Sequence, residues 1–408
     1  MRVVSADDAE RAIAAQLIPQ PAVRIPLADA VGHILADDVR ATIPLPPWTN
    51  AAMDGYAVRA ADLHGATRSR PVSLRVVGTS QAGTFPDRTV EAGDAMRIFT
   101  GAPVPAGADS VVRQEDTDRG REMVQIVDAR DAGANVRRGG ADLERGAVAF
   151  AAGTEIGPRQ IGLLAALAIT HPMVHRAPRV GILATGDEVV SLDQVDRVLA
   201  SQSLADVNGP ALAALVRDAG AVPVPLGIAP DSCGALKERI VSAEQIDLLI
   251  TAGGVSVGDH DHVREVMTAL GVVTPFDRVR MRPGGPTTFG VFPGGLPWLA
   301  LPGNPVSAMV TFELFGRPAI AIMRGSRSPA RRWQRAVLTQ DFPREPVLDQ
   351  YIRCVIECAD DGERRVVPTG PQGSGFLTSI ARADALALIP AGNAALPAGT
   401  SVQILPLG

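Results

Sequence analysis

The sequence predicts a multidomain α/β and β protein, and three observations carry that expectation. At 408 residues the chain is too long for one hydrophobic core, so about two to four domains are expected. From Arg179 to about residue 324, strand-like apolar runs alternate with helical ones, the texture of a parallel sheet with right-handed crossovers. On either side of that stretch, short β-type runs are separated by turn residues.

The elements follow in order. Residues 5–18 and 27–40 carry helical spacing, the second through Leu27, Val31, Ile34 and Leu35. "TIPLPPWTNAAMDGYAV" then breaks helical order with Pro44, Pro46 and Pro47. From about 72 to 136 the runs "VSLRVVG", "DAMRIFTG", "SVVRQED" and "EMVQIVD" predict a small β-rich domain. "PRQIGLLAALAI" returns to helix with Pro158 in its first turn. In the α/β stretch, "RVGILATGDE", "VPVPLGIAP" and "IDLLITAGG" read as strands, and "NGPALAALVRDAG" and "CGALKERIVSA" as helices. Beyond the basic linker "RGSRSPARR", the runs "WQRAVLTQDF", "QYIRCVIEC", "RRVVPTG" and "TSVQILPLG" predict a small β-barrel or sandwich.

Composition bounds the function classes. Hydrophobic residues make up 46% and charged residues 20%, a globular balance, with no apolar run of about 18 residues to predict a membrane span. The opening "MRVVSADDAERAIAAQL" places acids where a signal peptide needs a basic region, so a cytoplasmic location is expected. A net charge of −5 argues against a nucleic-acid partner. Lys237 is the lone lysine, so an anionic ligand must be met by arginines or backbone amides. Cys354 and Cys358 share one strand face as core filler, too far apart for a disulfide, and Cys233 stands alone.

In an open parallel sheet, ligands bind beyond the carboxyl ends of the strands. Two such ends carry acidic glycine turns, "ATGDE" (184–188) and "TAGGVSVGDHDH" (251–262). Gly253, Gly254 and Gly258 let the backbone approach a phosphate closely, while Asp187, Glu188, Asp259 and Asp261 suit Mg²⁺. His260 and His262 lack the spacing of a common zinc motif. "LPGNPVSA" sets Pro302 and Pro305 around a loop that leads to Ser307, and "MRPGGPTTFG" puts Arg282 beside a stiff glycine turn. "NAAMDGYA" holds Asp54, "FTGAPVPAGAD" holds Thr100, and "NVRRGGADLERG" holds Asp142.

Together with "PQGSG" (371–375), these segments occur in the order found in molybdopterin molybdenumtransferases, and the whole chain resembles that MoeA and gephyrin E-domain family. The resemblance implies a segmented N-terminal domain (1–43 and 140–175), an inserted β-rich domain (44–139), a molybdopterin-binding α/β domain (176–324) and a C-terminal β-barrel (325–408). It implies Mg²⁺-assisted insertion of molybdate into adenylylated molybdopterin with release of AMP. The cleft would be shared between two subunits of a homodimer. It also implies contacts with the molybdopterin adenylyltransferase and with apo-molybdoenzymes. By motif position, Asp54, Thr100, Asp142, Glu188 and Asp261 are catalytic, and Glu188, Asp259 and Asp261 hold the metal. Asp187, Gly253, Gly254, Ser256, Gly258, Asp259, Pro302 and Pro305 bind the pterin phosphate, and Arg282, Ser307, Arg353 and Ser374 line the molybdate pocket. The largest departure is Gly285, where the family usually has a second lysine. A scaffold without turnover, and a separate nucleotide-dependent enzyme of the same fold, are the competing classes.

Overall fold

The computed structural model describes residues 2–254, 262–330, 332–360 and 362–407. Three expected strands, Val222–Ala229, Arg179–Thr185 and Leu248–Ala252, and a fourth, Pro297–Leu301, that the sequence reading did not name, lie side by side and parallel in that order. Thr288–Val291 and Val273–Phe276 extend the sheet antiparallel. The strands alternate faces, and both faces are apolar. Val180, Ile182, Leu248 and Ile250 pack with Leu212 and Val216 of the helix Asn208–Asp218 on one side. Leu183, Leu249 and Trp298 pack on the other with the helices Cys233–Val241 and His262–Ala269. Each such side chain contributes roughly 1.5–3 kcal/mol by leaving water, so the two-faced burial fixes the register of these strands.

The chain then runs through Pro305–Met323, a continuous helix whose middle, Phe312–Gly316, is wound as a π-helix. It is long and apolar enough to cross a membrane, with a mean hydropathy of 1.4, yet 72% of that window is buried inside the protein. It is a core helix, and its charges are neutralised locally: Arg317 pairs with Glu313 at 2.7 Å and with Asp218 at 2.8 Å. The N-terminal helix Ala6–Ala14 packs Ala9 and Ile13 into the same core, while Val3–Val4 pairs with Arg278–Val279.

The expected helix over 27–40 does not form. Only the 3-10 turn Leu27–Asp29 appears; Gly32 takes φ +81, and Val31 is 55% exposed although the helical pattern would bury it. The segment bonds across instead of along itself. Ile34 bridges Glu155, Leu35 bridges Val174, and Val39–Arg40 pairs with Val148–Phe150. Tertiary pairing overrides a short periodic signal. With Ala22–Arg24 on Met173–His175, these ladders bring the two sides of the insertion together.

The inserted region is a five-stranded sheet ordered Ser110–Arg113, Gly55–Val58, Asp94–Ile98, Val72–Ser80 and Met123–Ile126. Gly55–Val58, hidden in the sequence by its small residues, is one of the inner strands; a Cβ at Gly55 would run into the Val112 carbonyl. At the C-terminus, Asp349–Cys358, Arg364–Pro368, Gln334–Leu338, Ser401–Pro406 and Ala385–Ile389 close into a five-stranded barrel, the last strand returning to the first. Ile352, Cys354, Val366, Ala387 and Ile404 fill it, whereas Tyr351, Leu386 and Leu405 face the α/β core. Cys354 is core filler as expected, but Cys358, at the strand's outer end, is exposed. Met281–Arg282 runs parallel to the start of Asp349–Cys358 and so sets Arg282 opposite Gln350 on the barrel.

Candidate active site

All four parallel strands deliver their following loops to one edge of the sheet. Asp231 follows Val222–Ala229, Gly186-Asp187-Glu188 follow Arg179–Thr185, Gly253-Gly254 follow Leu248–Ala252, and Pro302 to Pro305 follow Pro297–Leu301. They frame a cleft of about 650 Å³ bordered by Thr185, Gly186, Glu188, Asp206, Asn208, Asp231, Gly253, Gly254, Pro302, Gly303 and Pro305. The loops nearly touch. A Cβ on Gly303 would sit 3.2 Å from the Gly253 Cα, and Gly253 itself takes φ +100, which a larger residue adopts only with strain. Asn208 ties the wall together by donating from Nδ2 to the Gly303 carbonyl at 2.8 Å.

The cleft is acidic at one end. The Asp231 amide donates to Asp187 Oδ1 at 3.0 Å. Burial, and then the charges of Asp187 and Glu188, push the Asp231 carboxyl up from its ordinary value. Such crowding of carboxylates fits a hard divalent cation, which accepts oxygen ligands and relieves the repulsion. Beside the glycines, the Thr185 hydroxyl is buried, at 7% residue exposure, with no hydrogen-bond partner among the described residues. A buried polar group without a partner costs about 1–3 kcal/mol, so this hydroxyl is stability given up at the ligand site. Thr185→Val should therefore keep or raise Tm while weakening binding of the phosphate-bearing ligand by about two- to tenfold, read by thermal melts and calorimetric titration.

A second cleft, of about 300 Å³, opens where the α/β unit meets the barrel, between Arg282, Glu345, Gln350, Arg353, Gln372 and Gly373. Arg353 is only 1% exposed. Its Nε donates to Ser379 Oγ and its Nη2 to the Gly373 carbonyl, both at 3.1 Å, and no carboxylate pairs with it among the described residues. Burial draws its pKa down to about 10, as befits a cation without a counter-charge. Arg282 is exposed and held by Glu345 at 2.7 Å. The two clefts share walls: Arg282 and Pro283 border one and Pro286 the other, and Gln372 and Gly373 border one and Gly375 and Leu377 the other. Ser374 lies half-buried on that shared stretch. Ser307 is buried in the first turn of Pro305–Thr311 and borders neither cleft.

In the inserted domain, the Thr100 amide and hydroxyl both donate to Asp54 Oδ1 at 2.8 Å, which lowers the Asp54 pKa. Arg97, which sequence reasoning passed over, lies 5.0 Å from the Tyr56 ring and 5.2 Å from the Phe99 ring and donates to Gln114 at 2.8 Å. Its charge adds to the lowering at Asp54. The signal was present in Tyr56, Arg97 and Phe99, but only strand pairing stacks them. Asp142 is exposed, its amide donating to the Leu45 carbonyl. None of Asp54, Thr100 and Asp142 borders the glycine cleft. Ser256, Gly258, Asp259, His260 and Asp261 lie outside the described residues; Thr185, Asp206, Asn208 and Asp231 are among the cleft residues that the sequence reading did not single out.

A parallel sheet with its glycine loops and carboxylates on one edge, joined to a barrel that offers a buried arginine, is suited to handling anionic ligands with a bound cation. Comparison with known proteins identifies the family. Residues 4–168 match the MoeA N-terminal region (domain I and II), 181–322 a probable molybdopterin binding domain, and 335–407 the MoeA C-terminal region (domain IV). The molybdopterin molybdenumtransferase of Nostoc sp. is 38% identical over 385 residues, spanning 93% of this chain and 87% of that protein. Molybdopterin molybdenumtransferase 2 of Mycobacterium tuberculosis is 36% identical over 99% of both chains. The crystal structure of a molybdopterin biosynthesis MoeA protein from Pyrococcus horikoshii superposes over 100% of both chains with a TM-score of 0.85 at 27% identity. The chain belongs to the MoeA family of molybdopterin molybdenumtransferases.

Proposed function

We propose that this protein inserts molybdate into adenylylated molybdopterin and releases AMP, with Mg²⁺ assisting, as a cytoplasmic homodimer. The observation that carries the reading is the pair of clefts bordered by the same two chain segments: glycines and carboxylates in one, and in the other a buried arginine with no carboxylate partner among the described residues. The ligands are all anions and repel one another, so each needs its own compensation. Gly253 and Gly254 let the phosphates approach the backbone, and the Thr185 hydroxyl supplies a donor. Glu188, with Asp187 and Asp231 beside it, would hold the Mg²⁺, joined by Asp259 and Asp261. Bound there, the ion neutralises phosphate charge and polarises the phosphoanhydride. Arg353, with Arg282 released from Glu345, holds the oxyanion at the other end. A cavity of about 610 Å³, with Ile182, Pro210, Ala213 and Pro225 on its apolar side and Asp187 and Arg197 among its polar groups, adjoins the glycine cleft through Gly186, Val189 and Asp206 and suits a polar-edged ring system. The inserted domain's Asp54 and Thr100 then complete the cleft of the partner subunit.

The test is a defined reaction of the full chain with adenylylated molybdopterin, molybdate and Mg²⁺, reading AMP and reconstitution of an apo-nitrate reductase. AMP release should require both added ions, and Glu188→Gln should lose at least about tenfold at limiting Mg²⁺. The scaffold reading is favoured by Gly285, which deletes a cation, and by the Arg282–Glu345 pair. Tight pterin binding with no AMP at any molybdate level would decide for it.

A further inference from the structure

Apart from both clefts, three side chains of different donor type converge at the start of two helices. Cys233 opens the helix Cys233–Val241, and His262 and Glu265 stand one turn apart at the start of His262–Ala269. Cys233 Sγ is 3.5 Å from His262 Nδ1 and 3.3 Å from Glu265 Oε2, and the latter two atoms are 3.9 Å apart. We propose that Cys233, His262 and Glu265 form a site for a thiophilic divalent ion of the zinc class, next to the Mg²⁺ region and distinct from it in its ligands.

The distances carry the argument. With Zn–S near 2.3 Å and Zn–N and Zn–O near 2.0 Å, a tetrahedral centre separates its ligand atoms by roughly 3.3–3.6 Å. The two edges from sulfur match to within about 0.2 Å, and the 3.9 Å edge between His262 and Glu265 must shorten by about 0.6 Å, which a rotation of the exposed Glu265 side chain supplies. Donor chemistry selects the metal: a thiolate, an imidazole nitrogen and one carboxylate oxygen suit zinc or cobalt, whereas Mg²⁺ takes oxygens. The ligands are carried on the first turns of two helices that pack through Leu236, Ile240, Val263 and Val266, and Cys233 itself rests on that apolar layer. The site is therefore presented by a rigid base rather than by a loop. Three protein ligands would leave a fourth position open to water.

The consequence is mechanical. Cys233–Val241 follows the strand that leads to Asp231, and His262–Ala269 is the helix next in the chain after Gly253 and Gly254. An ion between their first turns would tie the helix that begins two residues after Asp231 to the helix His262–Ala269. Sequence spacing could not show this, because Cys233 lies 29 residues from His262.

The test uses the full chain stripped with chelator and titrated with Co²⁺ as the spectroscopic probe. One Co²⁺ per chain should bind with a thiolate-to-cobalt charge-transfer band, displaced by Zn²⁺, and Zn²⁺ in excess should raise Tm. Cys233→Ser should abolish the band, and His262→Gln and Glu265→Gln should each weaken binding about tenfold or more. Cys358→Ser, which removes the exposed thiol, should change nothing. Absence of the band in the parent protein, or its survival in Cys233→Ser, overturns the site. If Cys233→Ser melts below the parent without metal, His262→Gln decides on the same readouts. Activity is not used, so the outcome stands whether or not the proposed insertion reaction is observed.

Discussion

Replacing Arg353 with methionine is expected to weaken molybdate binding by about ten- to a hundredfold while leaving the fold intact. The loss follows from one charge-assisted contact, worth roughly 1.5–3 kcal/mol. The stability side is less intuitive. A buried guanidinium with no carboxylate partner among the described residues pays for its own desolvation, and burial draws its pKa down to about 10. Methionine keeps an unbranched apolar stem and removes that cost, but it is shorter than arginine and leaves part of the guanidinium's space unfilled. What it gives up are donations to Ser379 Oγ and to the Gly373 carbonyl. Ser379 still donates to the Phe376 carbonyl, so only one acceptor is left short. Tm should therefore move by no more than a few degrees, in either direction. Calorimetric titration with molybdate and a thermal melt on the same sample separate the two roles. Unchanged affinity with a collapsed Tm would make Arg353 a barrel strut and move the oxyanion site elsewhere.

That arginine also shows where sequence legibility stops. The glycine turns at 184–188 and 251–254 were readable because strand, glycine and acid follow one another directly in the chain, and the sheet edge gathers them without further information. The barrel strands were readable as strands, but their closure was not. Closure depends on Ala385–Ile389, whose small residues alternate too weakly to stand out. The helix expected over 27–40 failed because a window of four apolar residues cannot report that Glu155 and Val174 wait across a ladder. Thr185, Arg97 and the Cys233 cluster share one reason for staying hidden. Their meaning lies in what they face, and each faces residues brought by pairing or packing rather than by spacing. Gly285 is a different case. The sequence shows a missing cation, while the structure shows ordinary room for a side chain there, the nearest atoms to an added Cβ being backbone oxygens at 3.4 and 3.6 Å. Nothing steric in the fold requires the glycine.

Mixing two inactive variants should restore activity if the cleft is built from two subunits. Asp54 and Thr100 are rigidly paired, with both Thr100 donors on one carboxylate oxygen, and such a pair is costly to orient for no purpose on an exposed loop. Yet neither residue borders the glycine cleft of its own chain, where Glu188 stands. An Asp54→Asn chain and a Glu188→Gln chain are each expected to be inactive, because every cleft in either homodimer lacks one of the two carboxylates. In a heterodimer both lesions fall in one cleft and the other is whole. Free reassortment makes half of the dimers mixed, so about a quarter of parental activity should return. The controls are the unmixed variants at the same total concentration, and a mixture in which both lesions sit on one chain beside an intact one, which should keep only about a quarter, because each cleft of its mixed dimers lacks one of the two carboxylates; about half would remain if each chain built its cleft alone. Both substitutions are isosteric and remove charge from groups that are not in the core, so Tm of each variant should stay near the parent. Recovery close to zero after verified subunit exchange would mean that each chain builds its cleft alone. Asp54 and Thr100 would then have to reach Glu188 by a movement of the inserted domain within one subunit, and single-chain dilution would leave activity per chain unchanged.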